Sequence, residues 1–506
     1  MTSPAPANLS GLVREAARTA GERAAFVLAD AQLSWAEVDR RVDALAAGLV
    51  ALGLPRGARV GLQLENTFDF PVVYFAVLRA GLVAVPVNTG YTQAELTHCL
   101  QDSGAALLLT TEAGAATGLA AAADLPDVSV VVAGAAPGGA GTLEALFLDD
   151  AAPVEAVGGG EDLAVVLYTS GTSGRPRGAM LSHRALLGNL EQCDRIEPAV
   201  TTDDDVVLLV LPLFHIYGLN AGLGAVARHA ATGVLVERFD PVESLETIRR
   251  HAVTNVVGAP PMYVAWSTLP DVGDAFSTVR LALCGSAPLP SAVLSRVLDV
   301  TGHHVFEGYG LTETAPVLTT TLMSPAAKPD SIGRPIPGVE LRLVDEHGRE
   351  VEADDPGEIS VRGVNLFSGY WPDGAGGPDA DGWFATGDVA YADVDGDLHL
   401  VDRRRELILV SGFNVYPREV EDVLVAHPDI EEAAVLGVAH PYTGESVKAL
   451  VVLREGADLS ADEVIAHSAR SLARFKCPTT VAFVDALPHS ATGKVSKGRL
   501  RDAAGA

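Results

Sequence analysis

Apolar residues in "LSWAEVDRRVDALAAGLVALGL" recur every three or four positions, at Val38, Val42, Leu45, Leu49 and Leu52, and so share one face of a helix. Ser34 and Glu37 have the spacing of a reciprocal N-terminal cap, and Gly53 stands where such a helix would stop. "ARVGLQLEN" then reads as a strand, "DFPVVYFAVLRAG" as a helix and "LVAVPV" as another strand. The rhythm returns at "VTNVVGAPP", "VRLALCGSAPLP" and "SAVLSRVLDVTG". This alternation predicts an α/β fold, a mostly parallel sheet with helices on its faces, to about residue 325. Ligands of such sheets bind at the carboxyl ends of strands, where the Gly/Pro-rich turns fall.

From "SIGRPIPGVELRLVDEHGREV" through "GDLHLVD" the pattern changes to short β-type segments with Gly, Pro and Asp turns, predicting a small β-rich subdomain over 326–402. After "VDRRRELILVSG" the segments "EEAAVLGVA" and "KALVVLRE" read as strands, and "REVEDVLVAH" and "ADEVIAHSARSLARF" as helices. Residues 403–506 are therefore expected to form a separate α+β domain.

At 168–178 the chain reads "YTSGTSGRPRG" between an apolar run of strand length, "EDLAVVLYTS", and a helix expected to be capped by Ser182, so the stretch reads as strand, loop, helix. Gly171, Gly174 and Gly178 let the backbone curl with its N–H groups uncovered, and Thr169, Ser170, Thr172 and Ser173 add hydroxyls. Such a row of donors suits a phosphate chain; a polar surface turn is the alternative. The Lys-Ser/Thr pair of a P-loop is missing at the required spacing.

With 506 residues, 48% hydrophobic and 20% charged, the chain is globular and long enough for two or more domains. The net charge of -29 argues against broad binding to nucleic acid or anionic membranes, so a phosphate ligand needs local positive charge. The apolar stretch "VVLLVLPLFHIYGLNAGLGAVA" is broken by Pro212, His215, Asn220 and glycines, which fits buried strand, loop and helix better than a membrane span. Neither end carries a leader or lipidation pattern, and a soluble cytoplasmic protein is expected. Cys99, Cys193, Cys284 and Cys477 are far apart and are expected to be reduced, structural thiols.

Six stretches in order, "YTSGTSGRPRG", "LPLFHIYG", "GYGLTE", "GWFATGD", "VDRRRELILVSGFNVYP" and "LPHSATGKV", resemble the adenylate-forming superfamily of acyl-CoA synthetases, luciferases and peptide-synthetase adenylation domains. Within it the chain looks most like fatty-acyl-CoA synthetases and 4-coumarate-CoA ligases, over nearly its whole length. The resemblance implies a large N-terminal domain, here 1–402, with two α/β sheet subdomains and a small β-rich one, and a mobile C-terminal domain, here 403–506. It also implies a two-step reaction: a carboxylate attacks the α-phosphorus of Mg-ATP to give acyl-AMP and pyrophosphate, and the CoA thiol then displaces AMP.

Carried onto this chain, the family roles coincide with what the side chains can do. Tyr309 offers a flat face to adenine, Thr312 a hydroxyl to the α-phosphate and Glu313 a carboxylate to Mg²⁺, although "YGLTE" alone also reads as a turn into a capped helix. Gly285, Ser286 and Ala287 are small enough for adenine to approach the backbone. Asp388 can accept both ribose hydroxyls, and Arg403 can reach ribose or phosphate. Arg177 and the loop residues Thr169, Ser170, Gly171, Thr172, Ser173 and Gly174 are implied to hold phosphate. Lys494 is implied to neutralise the acid and the α-phosphate together, and Gly412 to let the pantetheine arm pass. His215 resembles the histidine that gates the acid pocket, with a satisfied core histidine as the alternative.

Two positions depart from the pattern. The family's glycine-rich loop usually has Pro-Lys-Gly where this chain has Pro176-Arg177-Gly178, and its hinge is commonly Asp or Lys where this chain has Arg405. "LFHIYG" lacks the acidic residue that would hold an amino acid's ammonium, and Phe214, Ile216, Tyr217, Met262 and Tyr263 suit an alkyl chain or an aryl ring. The expected activity is an ATP- and Mg²⁺-dependent fatty acid–CoA ligase with free CoA as acceptor. An aryl-acid CoA ligase, a ligase that loads a carrier protein, and an inactive nucleotide- or acyl-CoA-binding relic are the alternatives, and homodimer formation is left open.

Overall fold

The structure is a computed structural model that describes residues 7–138, 140–169, 176–352, 355–403, 406, 408–410, 413–440, 444–472, 474–489, 494–497 and 499–500. Chain packing divides it into two compact units, one of residues 1–329, 333–340 and 362–384, the other of 330–332, 341–361 and 385–506. The β-rich strands thus share a compact unit with the tail, whereas the sequence reading grouped them with the first 402 residues.

The first unit is α/β, as the hydrophobic pattern predicts. Ser34 accepts the Glu37 N–H, and the Glu37 carboxylate accepts the Ser34 N–H at 2.8 Å, starting the helix Trp35–Ala51. Val38, Val42, Leu45 and Leu49 are buried along one face. Leu52 is 45% exposed because the helix has already ended, and Gly53 (φ +69°) turns the chain away. The strands Arg59–Gln63 and Val83–Pro86 pair in parallel with the helix Asp69–Arg79 between them.

Among the described residues this unit holds a seven-stranded and a nine-stranded sheet. In the nine-stranded sheet the strands Val206–Leu209, Asn255–Gly258, Leu281–Cys284 and Val305–Gly310 are parallel neighbours in that order. Their carboxyl ends therefore open on one edge. The seven-stranded sheet ends in an antiparallel pair, Leu163–Thr169 with Arg177–Ser182. Between 163 and 193 the described residues thus form two strands and a helix, one strand more than the sequence suggests. Ser182 closes that strand and also caps the helix His183–Cys193 by accepting the Ala185 N–H at 3.2 Å.

Among the described residues the second unit holds a four-stranded sheet, which includes Gly357–Arg362, Phe384–Ala392 and Leu398–Arg403, and a five-stranded sheet around the long hairpin Ile430–His440 and Gly444–Leu453. Ile408, Val420, Leu424, Val435, Val447 and Val464 form a core of its own. No described helix is long and apolar enough to cross a membrane. None of the four cysteines forms a disulfide, and burial pushes the Cys284 thiol well above its ordinary value.

Candidate active site

The nine-stranded sheet brings together the candidates that follow its strands. Cys284 pairs with Gly258 on one side and with Glu307 on the other; Gly285–Ala287 then leave the sheet, while Gly308–Gly310 run on in it, paired with Val317–Thr320. Ser286 has φ +77°, a left-handed conformation that a side chain seldom adopts, at the turn expected to meet adenine. Gly310 has no room for a side chain, since a Cβ there would lie 1.8 Å from the Pro316 carbonyl oxygen.

Tyr309 lies in the strand Val305–Gly310, just before Gly310, and beyond Gly310 a 3₁₀ turn over Thr312–Thr314 presents Thr312 and Glu313; all three residues are half-buried. Its carbonyls are taken up from behind: Phe367 N–H donates to Glu313 O at 3.0 Å, Asn365 Nδ2 to Thr314 O at 2.8 Å and Asn220 Nδ2 to Ala315 O at 2.7 Å. With the backbone satisfied elsewhere, the Thr312 and Glu313 side chains can serve a ligand.

The stem of the glycine-rich segment is fixed from two sides. Tyr168 Oη donates to Asp102 Oδ2 at 2.6 Å, and the His98 Nε2–H donates to the Pro176 carbonyl at 3.3 Å, both from the helix Gln93–Ser103. Burial first, then the bond to Asp102, push the Tyr168 phenol far above its ordinary range, so it stays a donor. On the other side the Arg177 guanidinium lies 3.6 Å from the Tyr370 ring centroid, and Tyr370 Oη donates to Glu313 Oε1 at 2.6 Å. Arg177, Tyr370 and Glu313 thus join the end of the glycine-rich stretch to the 3₁₀ turn.

The segment expected to face the acid follows Val206–Leu209. Buried Asn66 donates from Nδ2 to Leu211 O at 2.9 Å and accepts the Leu213 N–H at 3.0 Å, holding the bend at Pro212. The chain then winds as a π-helix over Tyr217–Gly224, a form often found at functional sites. His215 Nδ1 accepts the Tyr217 N–H at 3.3 Å, which leaves the ring proton on Nε2. The Tyr217 ring packs on Gly285, where a Cβ would come within 2.9 Å of it. Tyr263, expected to line the pocket, is fully buried and donates its hydroxyl to Leu283 O at 2.7 Å, so it supports the sheet.

The remaining candidates belong to the second unit. Asp388 is buried and pairs across the antiparallel ladder with Arg403, which puts both on one pair of strands. Lys494 is exposed, next to Val495, whose backbone bridges to His489. Ser170, Gly171, Thr172, Ser173, Gly174, Arg405 and Gly412 lie outside the described residues. Sequence reasoning missed Asn220, Asn365 and Tyr370; the aromatic pair in "SGYWPDG", isolated among Gly, Pro and Asp, is the available signal for the last.

No described cluster of three or more His, Cys, Asp or Glu side chains could cage a metal. The single carboxylate of Glu313 beside the Thr312 hydroxyl fits a Mg²⁺ ion that is shared with a triphosphate and keeps its waters.

A parallel sheet with candidate residues at its strand ends, an antiparallel strand pair flanking the glycine-rich stretch in sequence and a second compact unit fit an adenylate-forming enzyme. The chain belongs to the AMP-binding enzyme family, whose main domain matches residues 13–371 and whose C-terminal domain matches 419–494. It is 34% identical to a long-chain-fatty-acid–CoA ligase of Yersinia pestis, over 98% of this chain and 94% of that protein. It is 38% identical to a feruloyl-CoA synthase of an Amycolatopsis species, over 93% of each. ATP-bound MatB from Rhodopseudomonas palustris superposes with a TM-score of 0.89 at 34% identity, covering 98% of both chains. The chain is an AMP-forming acid–thiol ligase of the acyl-CoA synthetase kind, with ATP, CoA and a small carboxylic acid as the family's substrates.

Proposed function

We propose that the acid is a medium- or long-chain fatty acid, activated as acyl-AMP and passed to free CoA. The observation that carries this reading is the uncharged run Phe214–Gly218 leading into the π-helix, with no carboxylate to hold a substrate ammonium. The ligase of Yersinia pestis supports it over the greater share of the chain. An aryl acid is the second reading, favoured by the higher identity to the feruloyl-CoA synthase and by the flat Tyr217 ring against Gly285.

In the first step Tyr309 and Gly285–Ala287 would seat adenine, Asp388 and Arg403 the ribose, and Thr169–Gly174, Arg177 and Thr312 the phosphates. Glu313 would hold Mg²⁺, which neutralises charge on the phosphates when bound. His215 would stand by the acid, and Lys494 would draw the acid's oxygen and the α-phosphate together. In the second, residues 403–506 would rotate about Arg405, and Gly412 would give passage to pantetheine.

A pyrophosphate-release assay over saturated acids of increasing length and over ferulic, coumaric and benzoic acids, followed by CoA-dependent AMP release, tests the reading. Saturated acids are expected to turn over fastest. Turnover of aryl acids alone would replace the fatty acid with the aryl reading, and AMP release indifferent to CoA would point to another acceptor.

A further inference from the structure

We propose that Tyr370 is a positioning residue that ties the basic end of the glycine-rich hairpin to the Glu313 carboxylate, and that Arg177 serves in place of the family's usual lysine because Tyr370 carries it. The proposal rests on the reading of Arg177 and Glu313 as ligands of MgATP.

The backbone locks Tyr370 beside the hairpin. Ser368 N–H donates to Met180 O at 2.8 Å, Met180 N–H to Gly369 O at 3.0 Å and Trp371 N–H to Gly178 O at 2.8 Å, so residues 368–371 run along the strand Arg177–Ser182. Buried Phe367 meets the Tyr370 ring edge-on at 5.1 Å and sets its plane.

The two sides of this ring do different work. Its face carries the guanidinium at 3.6 Å. A planar guanidinium spreads over such a face, whereas a compact, strongly hydrated ammonium does not, so the stacking is specific to arginine. Its hydroxyl gives Glu313 Oε1 a 2.6 Å hydrogen bond, while the backbone of the same residue is held by Phe367. The carboxylate is thereby oriented with Oε2 left for a cation.

The ring also keeps two opposite charges apart. Among the described residues Arg177 forms no ion pair. Direct pairing with Glu313 would cancel the positive charge needed by the phosphates and the negative charge needed by the metal. A neutral phenol between them leaves both charges available to the nucleotide.

The test is equilibrium binding of ATP to the full chain by calorimetry, without acid, across a series of Mg²⁺ concentrations. Tyr370→Phe, which keeps the ring, is expected to raise the Mg²⁺ needed for half-maximal binding about tenfold to a hundredfold, the effect of one hydrogen bond to a charged group. ATP affinity without Mg²⁺ should stay within about twofold, since the cation–π contact survives. Tyr370→Leu should also weaken Mg²⁺-free binding about threefold, and this extra loss should vanish when Arg177→Lys is already present. An unchanged or lower Mg²⁺ requirement in Tyr370→Phe, or additive losses for Tyr370→Leu and Arg177→Lys, overturns the proposal. Should Tyr370→Leu fail to fold, Arg177→Lys must still cost the same in the Tyr370→Phe background as in the native chain. Arg177→Ala and Glu313→Gln are the controls. If neither alters binding, the nucleotide reading falls and Tyr370 with it; if both do while the Tyr370 variants do not, only the role of Tyr370 falls.

Discussion

His183, first residue of the helix His183–Cys193, is buried beneath the N-terminal segment, and its Nδ1 accepts the Leu9 N–H at 3.1 Å. Burial disfavours the imidazolium and lowers its pKa from 6.5 to about 4, against a smaller opposing pull from Asp162. Protonation would also remove the acceptor that Leu9 uses. Because the folded value lies below the unfolded one, the stabilisation is fully present above pH 6.5 and is lost as pH falls towards about 4. Each pH unit in that window should cost about 1.4 kcal/mol for this one proton. His183→Gln keeps an acceptor but cannot titrate. Its melting temperature should be lower than that of the native chain near neutrality and fall less steeply through the window; parallel profiles would place the acid sensitivity elsewhere.

The 3₁₀ turn over Thr312–Thr314 shows why some of the site is legible along the chain and some is not. The capping residues of Trp35–Ala51 and the glycines that end strands lie within a few positions of what they serve, so their spacing reveals them. The strand Arg177–Ser182 is hidden because Ser182 belongs to it and also caps the next helix, and because its buried residues lean on Leu163–Thr169 and on the distant segment 368–371. Asn220 and Asn365, which hold the carbonyls of Ala315 and Thr314, lie far from the turn in sequence and carry no local pattern. Replacing a buried donor strands its acceptor. Asn365→Leu should therefore lower unfolding stability by about 1–3 kcal/mol and, by loosening the turn, raise the KM for ATP more than that for the acid. A stability loss with unchanged KM values would make Asn365 a packing residue only.

At the scale of the whole molecule the candidate residues are shared between two compact units: Arg177, Tyr309, Thr312 and Glu313 in the first, Asp388, Arg403 and Lys494 in the second. The α/β alternation made the first unit readable, because each strand and helix shows its own period. The unit boundary was less so, since packing assigns 341–361 to the same unit as 385–506 and no local pattern marks that pairing. A net charge of -29 makes the approach of two anions to each other and to the protein costly, so cations placed at the reacting atoms must offset it. Lys494 is exposed and carries a compact charge on a four-carbon stem, which suits the role proposed for it. Only the first half-reaction joins two anions at phosphorus, and the thiol attack that follows starts from a mixed anhydride already formed, at its acyl carbon, with AMP as the leaving group. Lys494→Ala should therefore slow acyl-AMP formation at least about a hundredfold, the scale of losing one transition-state donor, while thioester formation from supplied acyl-AMP changes less than about threefold. Rapid-quench measurement of each half-reaction separates the two. Equal losses in both would assign Lys494 to folding or to CoA binding instead of to the meeting of carboxylate and phosphate.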